Sequence, residues 1–210
     1  MSKWWLAAYG FFLAAFGSLG YLAHQAYVFP GDIAISSGLQ AINWPPFHAT
    51  MLVMTFLGYS IPAGVTVVLV TIWLLAFQRK REAIFIAFLS AANWVTGMAL
   101  KGLIHRPRPV AGLDDRSFPS GHTLFAVVFY GAIFYLAPGL IKSKRAVIIL
   151  RIGLALIIIL TAASRVHLGE HWPSDVLGSF ILGGLLLAPA LALYRARTKN
   201  RERGVSGENA

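Results

Sequence analysis

Three short polar segments of the chain carry residue types that could bind and transfer a phosphate. The first contains Lys101 and Arg108, and the third begins at Ser164-Arg165. Arginine offers a planar fork that matches phosphate oxygens, and lysine offers a point charge. Three cations around one site therefore predict a pocket for phosphate or sulfate rather than for a carboxylate. We expect Lys101, Arg108 and Arg165 to hold one tetrahedral anion.

The second segment, Pro119-Ser120-Gly121-His122, has the features of a helix start. Proline suits the first helical position, serine can cap the helix with its side chain, and glycine lets the backbone come close to a ligand. Because the N–H groups of a helix N-terminus bind anions, the start of this helix is itself a predicted anion site. His122 then lies in the first turn, beside the bound anion.

The third segment supplies a second histidine and a carboxylate, His171 and Asp175, four residues apart. If this stretch is helical, the two side chains share a face and the carboxylate fixes the tautomer of the imidazole. That is the arrangement of an oriented histidine nucleophile. Two histidines, His122 and His171, could thus serve the two ends of a displacement reaction.

A zinc site is an alternative interpretation of the third segment. The run His167-Leu-Gly-Glu-His171 matches the H-x-x-E-H peptidase pattern, and Asp175 adds a possible third ligand. However, Gly169 and Pro173 interrupt the regular helix that such a site requires, and the three nearby cations would repel a divalent ion. We therefore predict no metal and no cofactor. The chain also has no cysteine, which excludes thiolate zinc sites, disulfides and a cysteine nucleophile.

The elements that must position these segments are membrane helices. The chain has 210 residues, of which 57% are hydrophobic and 12% charged, whereas soluble proteins carry about 25% charged residues. About 20 apolar residues span a bilayer. The candidate spans are Trp4–Val28, Met51–Phe77, Ala83–Leu100, Ser120–Leu140, Ala146–Ser164 and Pro173–Tyr194. The predicted fold is all-α, a bundle of six transmembrane helices, with a short interfacial helix within Gly31–Asn43.

Basic residues predict the orientation of the bundle, since they mark the cytoplasmic side of membrane proteins. If six spans alternate, 13 of the 18 Lys and Arg residues fall on the side that holds both termini. We therefore expect a membrane domain over 1–194 and a basic cytoplasmic tail over 195–210. The other five basic residues are Lys101, Arg106, Arg108, Arg116 and Arg165. Because these five break the charge rule, they predict a functional site on the extracytoplasmic face.

The three segments together resemble the signature of the type-2 phosphatidic acid phosphatase superfamily, K-x6-R-P, P-S-G-H and S-R-x5-H-x3-D. Every position is filled, by Lys101, Arg108, Pro109, Pro119, Ser120, Gly121, His122, Ser164, Arg165, His171 and Asp175. The resemblance implies a helical bundle that hydrolyses a lipid phosphate or diphosphate without a metal, at a site near the membrane surface. It implies that His171 attacks phosphorus and forms a phosphohistidine, Asp175 orients His171, and His122 protonates the leaving group.

The same resemblance implies the phosphate ligands and the partners. The phosphoryl oxygens would be held by Lys101, Arg108, Ser120, the Gly121 backbone and Arg165. The expected partners are a lipid phosphate substrate and the lipids of the cell membrane, and no nucleic acid. Candidate substrates are phosphatidylglycerol phosphate, phosphatidic acid, undecaprenyl diphosphate and the lipid A 1-phosphate. The alternative from another class is a catalytically silent lipid-binding or transport protein that kept the pocket.

Several polar residues lie near the signature but outside it. They are His105, Arg106, Asp114, Asp115, Arg116, His167 and Glu170. These residues could bind a second phosphate or a headgroup. The favoured interpretation is ordinary loop polarity, because connecting segments run over the protein surface.

Overall fold

The computed structural model describes residues 3–110 and 116–207, with side chains as far as residue 198. Asp114 and Asp115, for which loop polarity is predicted, lie outside the described residues. The helices are α1 (Lys3–His24), α2 (Asp32–Gln40), α3 (Pro45–Leu57), α4 (Ser60–Ala76), α5 (Lys80–Leu103), α6 (Gly121–Phe125), α7 (Gly131–Leu140), α8 (Lys144–His167) and α9 (Pro173–Gly207). A π-helical turn, Ala126–Tyr130, joins α6 to α7. The predicted all-α class is confirmed.

Five of the predicted spans are helices long and apolar enough to cross a membrane. They are α1, α5, the continuous stretch Gly121–Leu140, α8, and residues Pro173–Thr198 of α9. The remaining span, the second along the chain, is predicted from the sequence as one helix over Met51–Phe77. It is instead the pair α3 and α4, bent by 66°. In a continuous helix the ring of Pro62 would clash with the carbonyl group of Gly58. Pro62 lies instead in the first turn of α4, where its missing N–H group leaves no hydrogen bond unmade.

The short helix predicted within Gly31–Asn43 is α2, and it lies at the same end of the bundle as the polar segments. Gly31 precedes it with a left-handed backbone conformation, φ 91°, which glycine adopts without strain. The side chain of Asp32, in its first turn, is buried. Helix α2 packs against α8 and α9, so it covers the two helices whose ends carry the third polar segment.

The core of the bundle is built where α6 and the π-helical turn pack against α9. Small residues allow this close approach, as they do between membrane helices generally. A side-chain carbon at Gly178 would come within 2.5 Å of Phe118, and one at Gly183 within 2.5 Å of Val127. The helix that carries His122 is therefore held firmly against the helix that carries Asp175.

Candidate active site

His171 and Asp175 meet at the junction between α8 and α9. After α8 ends, the chain turns at Gly169, whose φ is +70°, and the His171 N–H group donates to the Arg165 carbonyl oxygen at 3.1 Å. His171 Nδ1 then lies 3.4 Å from Asp175 Oδ2. The prediction that both residues share a helical face is wrong, because α9 begins at Pro173 and His171 precedes it. The turn, rather than helical spacing, brings the two side chains together.

The surroundings of His171 favour a neutral ring with its Nε2 lone pair available. Arg108 Nη1 lies 3.3 Å from Nε2. Because a guanidinium group can only donate, Nε2 accepts and the ring proton resides on Nδ1, which faces Asp175. Burial lowers the pKa of His171 to about 4, opposed by Asp175 and assisted by the positive charges of Arg165 and Lys101. At neutral pH the imidazole is therefore uncharged, as a nucleophile must be.

His122 lies in the first turn of α6 and lines the same cavity as His171. Its ring packs edge-on against Tyr59, with the two ring centroids 5.1 Å apart. On another side the ring lies so close to Gly58 that a side-chain carbon at this position would come within 2.4 Å of it. The Nε2 atom of His122 is buried and has no hydrogen-bond partner among the described residues. An imidazole nitrogen is thus available to a group that enters the cavity.

The three predicted cations reach this cavity from three different elements. Lys101 lies in the last turn of α5, Arg108 in the loop that follows, and Arg165 in the last turn of α8. Protein groups hold each of them: Lys101 Nζ donates to the Arg116 carbonyl oxygen at 2.7 Å, and Arg108 Nη1 to the Glu170 carbonyl oxygen at 2.8 Å. Arg165 donates to Thr55 and to Glu170. The positive charges are therefore in place before any ligand binds.

Ser120 and Gly121 lie at the N-terminus of α6, as predicted, but Ser120 does not cap the helix. It occupies the N-cap position without a side-chain capping bond. Its buried Oγ accepts from the Thr123 hydroxyl at 3.1 Å, so a neighbouring side chain has replaced the backbone N–H group as the donor. The Ser120 carbonyl oxygen accepts from Ser179 Oγ at 3.0 Å, which fastens this turn to α9. Gly121 itself lines the cavity.

Comparison with known proteins identifies the family. A model of the PAP2 superfamily matches residues 81–200. The chain belongs to the PAP2 superfamily. It is 31% identical over 171 residues to phosphatidylglycerophosphatase B of Bacillus subtilis (strain 168), covering 78% of this chain and 83% of that protein. It is 28% identical over 157 residues to undecaprenyl-diphosphatase BcrC of the same organism, covering 68% of this chain and 75% of the relative.

Solved structures of PAP2 proteins share the fold. The crystal structure of a transmembrane PAP2 type phosphatidylglycerolphosphate phosphatase from Bacillus subtilis superposes with a TM-score of 0.77 at 25% identity, covering 90% of this chain and 96% of that one. Aquifex aeolicus LpxE superposes with a TM-score of 0.64 at 21% identity, over 78% of this chain and 96% of that one, which shows a common fold. Together with the long apolar helices, these matches make the protein an integral membrane member of a lipid phosphatase family.

Arg106 lies outside the PAP2 signature, and it is not an ordinary solvent-exposed loop residue. Its side chain is only 1% exposed. Nη1 donates to Ser174 Oγ at 2.9 Å and to Asp175 Oδ1, and Nη2 donates to Asp32 Oδ2 at 2.9 Å and to the Tyr27 carbonyl oxygen at 2.8 Å. The prediction for Arg106 is therefore wrong. The sequence signal that could have found it is Asp32, an acidic residue in another connection on the same side of the membrane.

The H-x-x-E-H residues of this PAP2 chain point in different directions. His167 Nδ1 lies 2.8 Å from the Leu39 carbonyl oxygen, and its Nε2 lies 3.0 Å from His48 Nδ1. Glu170 pairs with Arg165 instead, and His171 faces Asp175. Across residues 3–110 and 116–198, no group of three His, Asp or Glu side chains is arranged to hold a metal ion. The third segment thus does not assemble the ligand set that the zinc interpretation requires.

Proposed function

We propose that the protein hydrolyses the phosphate of a membrane lipid through a phosphohistidine formed on His171. The observation that supports this most strongly is the shape of the cavity, about 820 Å³ in volume. One end holds both histidines and the three cations. From there the cavity continues as an apolar groove along α4 and α5, lined by Ala63, Val67, Val68, Ile72, Trp94 and Met98 among others. A phosphate bound at one end would therefore carry a hydrocarbon chain into the groove.

The walls of the groove support entry of substrate from the bilayer. Val68, Ile72, Trp94 and Met98 line the groove and are each more than half exposed. The groove is thus open along the side of the bundle that faces lipid. A lipid could slide in with its tail still among other lipids, so that little apolar surface need meet water.

In the first proposed step, His171 Nε2 attacks phosphorus and the bond from phosphorus to the lipid oxygen breaks. His122 donates its proton to that oxygen, which leaves as the lipid alcohol or, from a diphosphate, as the lipid monophosphate. Asp175 faces the Nδ1 proton and stabilises the positive charge that develops on the imidazole. Arg108 moves from Nε2 onto a phosphoryl oxygen, because the lone pair that it contacts in the free enzyme becomes the new bond.

In the second proposed step, water attacks phosphorus and the bond from phosphorus to nitrogen breaks. His122, now neutral, takes a proton from that water, and inorganic phosphate leaves with both residues restored. Throughout, the non-reacting oxygens contact Lys101, Arg108 and Arg165, together with the Gly121 backbone at the start of α6. These groups stabilise the charge of the transition state without a metal ion.

For the substrate, phosphatidylglycerol phosphate is the first candidate. The 31% identical relative is named for that activity, and so is the crystal structure with the TM-score of 0.77. Undecaprenyl diphosphate is the second candidate, because two further relatives, 28% and 34% identical, are named undecaprenyl-diphosphatases. Both candidates present a terminal phosphate on a long apolar chain, which is what the cavity can accept.

We further propose that the protein resides in the cell (inner) membrane, with its cavity on the extracytoplasmic face and both termini in the cytoplasm. The charge distribution supports this, since 13 of 18 Lys and Arg residues lie at the opposite end from the cavity when the spans alternate. The proposed membrane domain covers residues 1–194. The basic tail over 195–210 would then face the cytoplasm, with residues 195–207 continuing α9.

A purified-protein assay tests the function directly. Detergent-solubilised protein is incubated with phosphatidylglycerol phosphate, phosphatidic acid, undecaprenyl diphosphate and a lipid A 1-phosphate, and free phosphate is measured. We expect release that survives EDTA and is inhibited by vanadate, which can adopt the geometry of the transition state. Loss of activity in EDTA that zinc restores would contradict the metal-free mechanism. Binding of these lipids without any phosphate release would instead support a catalytically silent lipid-binding protein.

A further inference from the structure

Glu170 places a negative charge in a cavity otherwise built to attract anions. It immediately precedes His171, lines the same cavity and is 27% exposed. Its carboxylate accepts a hydrogen bond from Arg165 Nη2, and its Oε2 atom lies 3.9 Å from Arg108 Nη1. The family signature and the proposed mechanism give this residue no role, although it contacts two of the three cations.

The carboxylate lies where a phosphoryl oxygen has to go. A phosphoryl group attacked by His171 Nε2 must rest its non-reacting oxygens against the cations around that nitrogen. Arg108 Nη1 is one of these, only 3.3 Å from Nε2. Carboxylate and phosphate oxygens compete for the same guanidinium N–H groups, since both are bound through charge-assisted hydrogen bonds. Glu170 and a bound phosphate therefore compete for Arg165 Nη2, and the carboxylate also lies 3.9 Å from Arg108 Nη1.

We propose that Glu170 is an internal competitor for phosphate. In the free enzyme its carboxylate occupies a phosphoryl-oxygen position between Arg165 and Arg108. It leaves when the lipid phosphate binds and returns as inorganic phosphate departs. This inference rests on the proposed function, because it requires that the three cations bind the phosphate that is transferred.

The surroundings of the pair permit this exchange. Arg165 is 1% exposed and also donates to Thr55 Oγ1 on α3, so the guanidinium group keeps an anchor when the carboxylate leaves. Glu170 is partly exposed, so its side chain can turn toward water at the mouth of the cavity. Movement therefore falls to the carboxylate and not to the arginine.

The consequence is faster release of product. Three cations without an internal anion would retain inorganic phosphate, which carries as much charge as the substrate group. A hydrogen bond between charged groups shifts a binding equilibrium by roughly tenfold or more. We therefore expect Glu170→Gln, which removes the charge but keeps the shape, to lower the inhibition constant of inorganic phosphate by about tenfold, and the KM of the lipid in the same direction.

The experiment compares wild type, Glu170→Gln, Glu170→Ala and the charge control Glu82→Gln. Glu82 lies at the other end of the bundle, where its carboxylate accepts from the Tyr194 hydroxyl. Inorganic phosphate is titrated into each protein by calorimetry, and product inhibition of lipid phosphate hydrolysis is measured in parallel. Both Glu170 variants should bind phosphate more tightly than wild type, and Glu82→Gln should match wild type.

Unchanged or weaker phosphate binding by the Glu170 variants overturns the proposal, because Glu170 would then serve to hold Arg165 in place. The same conclusion follows if both variants fail to fold, as judged by thermal melting. Failure of the proposed function looks different, since wild type itself would neither release phosphate from a lipid nor bind inorganic phosphate.

Discussion

The two histidines of the cavity are surrounded by different groups, and this difference is the basis of the roles proposed for them. His171 has a carboxylate 3.4 Å from Nδ1 and a guanidinium group 3.3 Å from Nε2. His122 is enclosed by Tyr59 and Gly58, and its Nε2 has no partner among the described residues. A ring oriented by a carboxylate suits a nucleophile, whereas an unengaged nitrogen suits proton transfer to an incoming group.

Substituting each histidine should therefore have a different effect on different leaving groups. A lipid alkoxide needs a proton to leave, whereas a nitrophenolate does not, and general acid catalysis contributes about 10²–10⁴-fold. His122→Ala should lose about that factor on lipid phosphate but keep much more of its activity on a nitrophenyl phosphate. His171→Ala should lose both activities. Steady-state rates on both substrates measure this, with melting curves as the folding control.

Two outcomes would contradict the assignment of roles. Equal losses on both substrates for the two variants would leave no distinction between acid and nucleophile. If His171→Ala alone recovers activity with the good leaving group, the roles are reversed.

Arg106 is joined to the site by its buried ion pair with Asp175. Breaking a buried ion pair by removing one partner costs about 3–5 kcal/mol, and Arg106 pairs with both Asp32 and Asp175. Arg106→Gln should therefore lower the free energy of unfolding by about that amount, as measured by denaturation in detergent. Adding Asp32→Asn should recover part of the loss, since it removes one of the two unpaired charges.

Arg108→Gln is the matched comparison for Arg106→Gln. Arg108 is 15% exposed and lies at the cavity, so its loss should reduce activity with a much smaller effect on stability. A stability loss for Arg106→Gln no larger than that for Arg108→Gln would show that the buried network contributes little.

For individual residues, the sequence predicts which side chains could bind the substrate better than it predicts which side chains hold the site in place. That Lys101, Arg108 and Arg165 lie at one cavity could be predicted, because a phosphate site restricts the residue types that can serve. The contact between Arg106 and Asp32 joins residues 74 positions apart, and no local pattern records a pairing of that kind. The missing Ser120 cap has a different origin. Thr123 is only three residues away, but its hydroxyl can compete with the backbone N–H group for the serine oxygen once α6 has formed.

The break between α3 and α4 lies next to the candidate active site, beside His122. Gly58 ends α3 beside the His122 ring, at a position where an added side-chain carbon would come within 2.4 Å of that ring. Glycine is required there because any side chain would push the imidazole away. Gly58→Ala should therefore resemble His122→Ala, with a loss of about tenfold or more on lipid phosphate and a smaller loss on nitrophenyl phosphate.

Gly153→Ala serves as the control for this substitution. Gly153 lies within α8 with nothing within 4 Å of an added carbon, so alanine there should leave activity unchanged and favour the helix by up to about 1 kcal/mol. Normal rates on both substrates for Gly58→Ala would show that His122 can shift without consequence.

Hydropathy predicts the helices of this bundle but not the bend. Apolar length alone places α1, α5, α8 and the membrane part of α9, because lipid must be matched by a long apolar surface. The mean hydropathy over Met51–Phe77 does not depend on whether the helix is interrupted within that stretch. Pro62 is visible in the sequence, but prolines are tolerated inside membrane helices, so the 66° angle follows only from the packed structure.

For the whole molecule, the charge distribution predicts that the cavity opens on the extracytoplasmic face. A fluorescent protein that matures only in the cytoplasm, fused after Tyr194, should fluoresce, and a reporter active only in the periplasm should be silent there. The same two reporters fused after Gln40, which follows a single span, should give the reverse pattern. Inversion of both results would place the cavity in the cytoplasm.

The open side of the apolar groove also determines which measure of substrate concentration sets the reaction rate. A lipid that enters between α4 and α5 arrives by lateral diffusion in two dimensions and never as a solute. The rate should then follow the mole fraction of substrate within the bilayer or micelle and be insensitive to the amount per volume of buffer. Adding inert lipid at constant total substrate should slow turnover by surface dilution alone, so activity in a cell would respond to membrane composition.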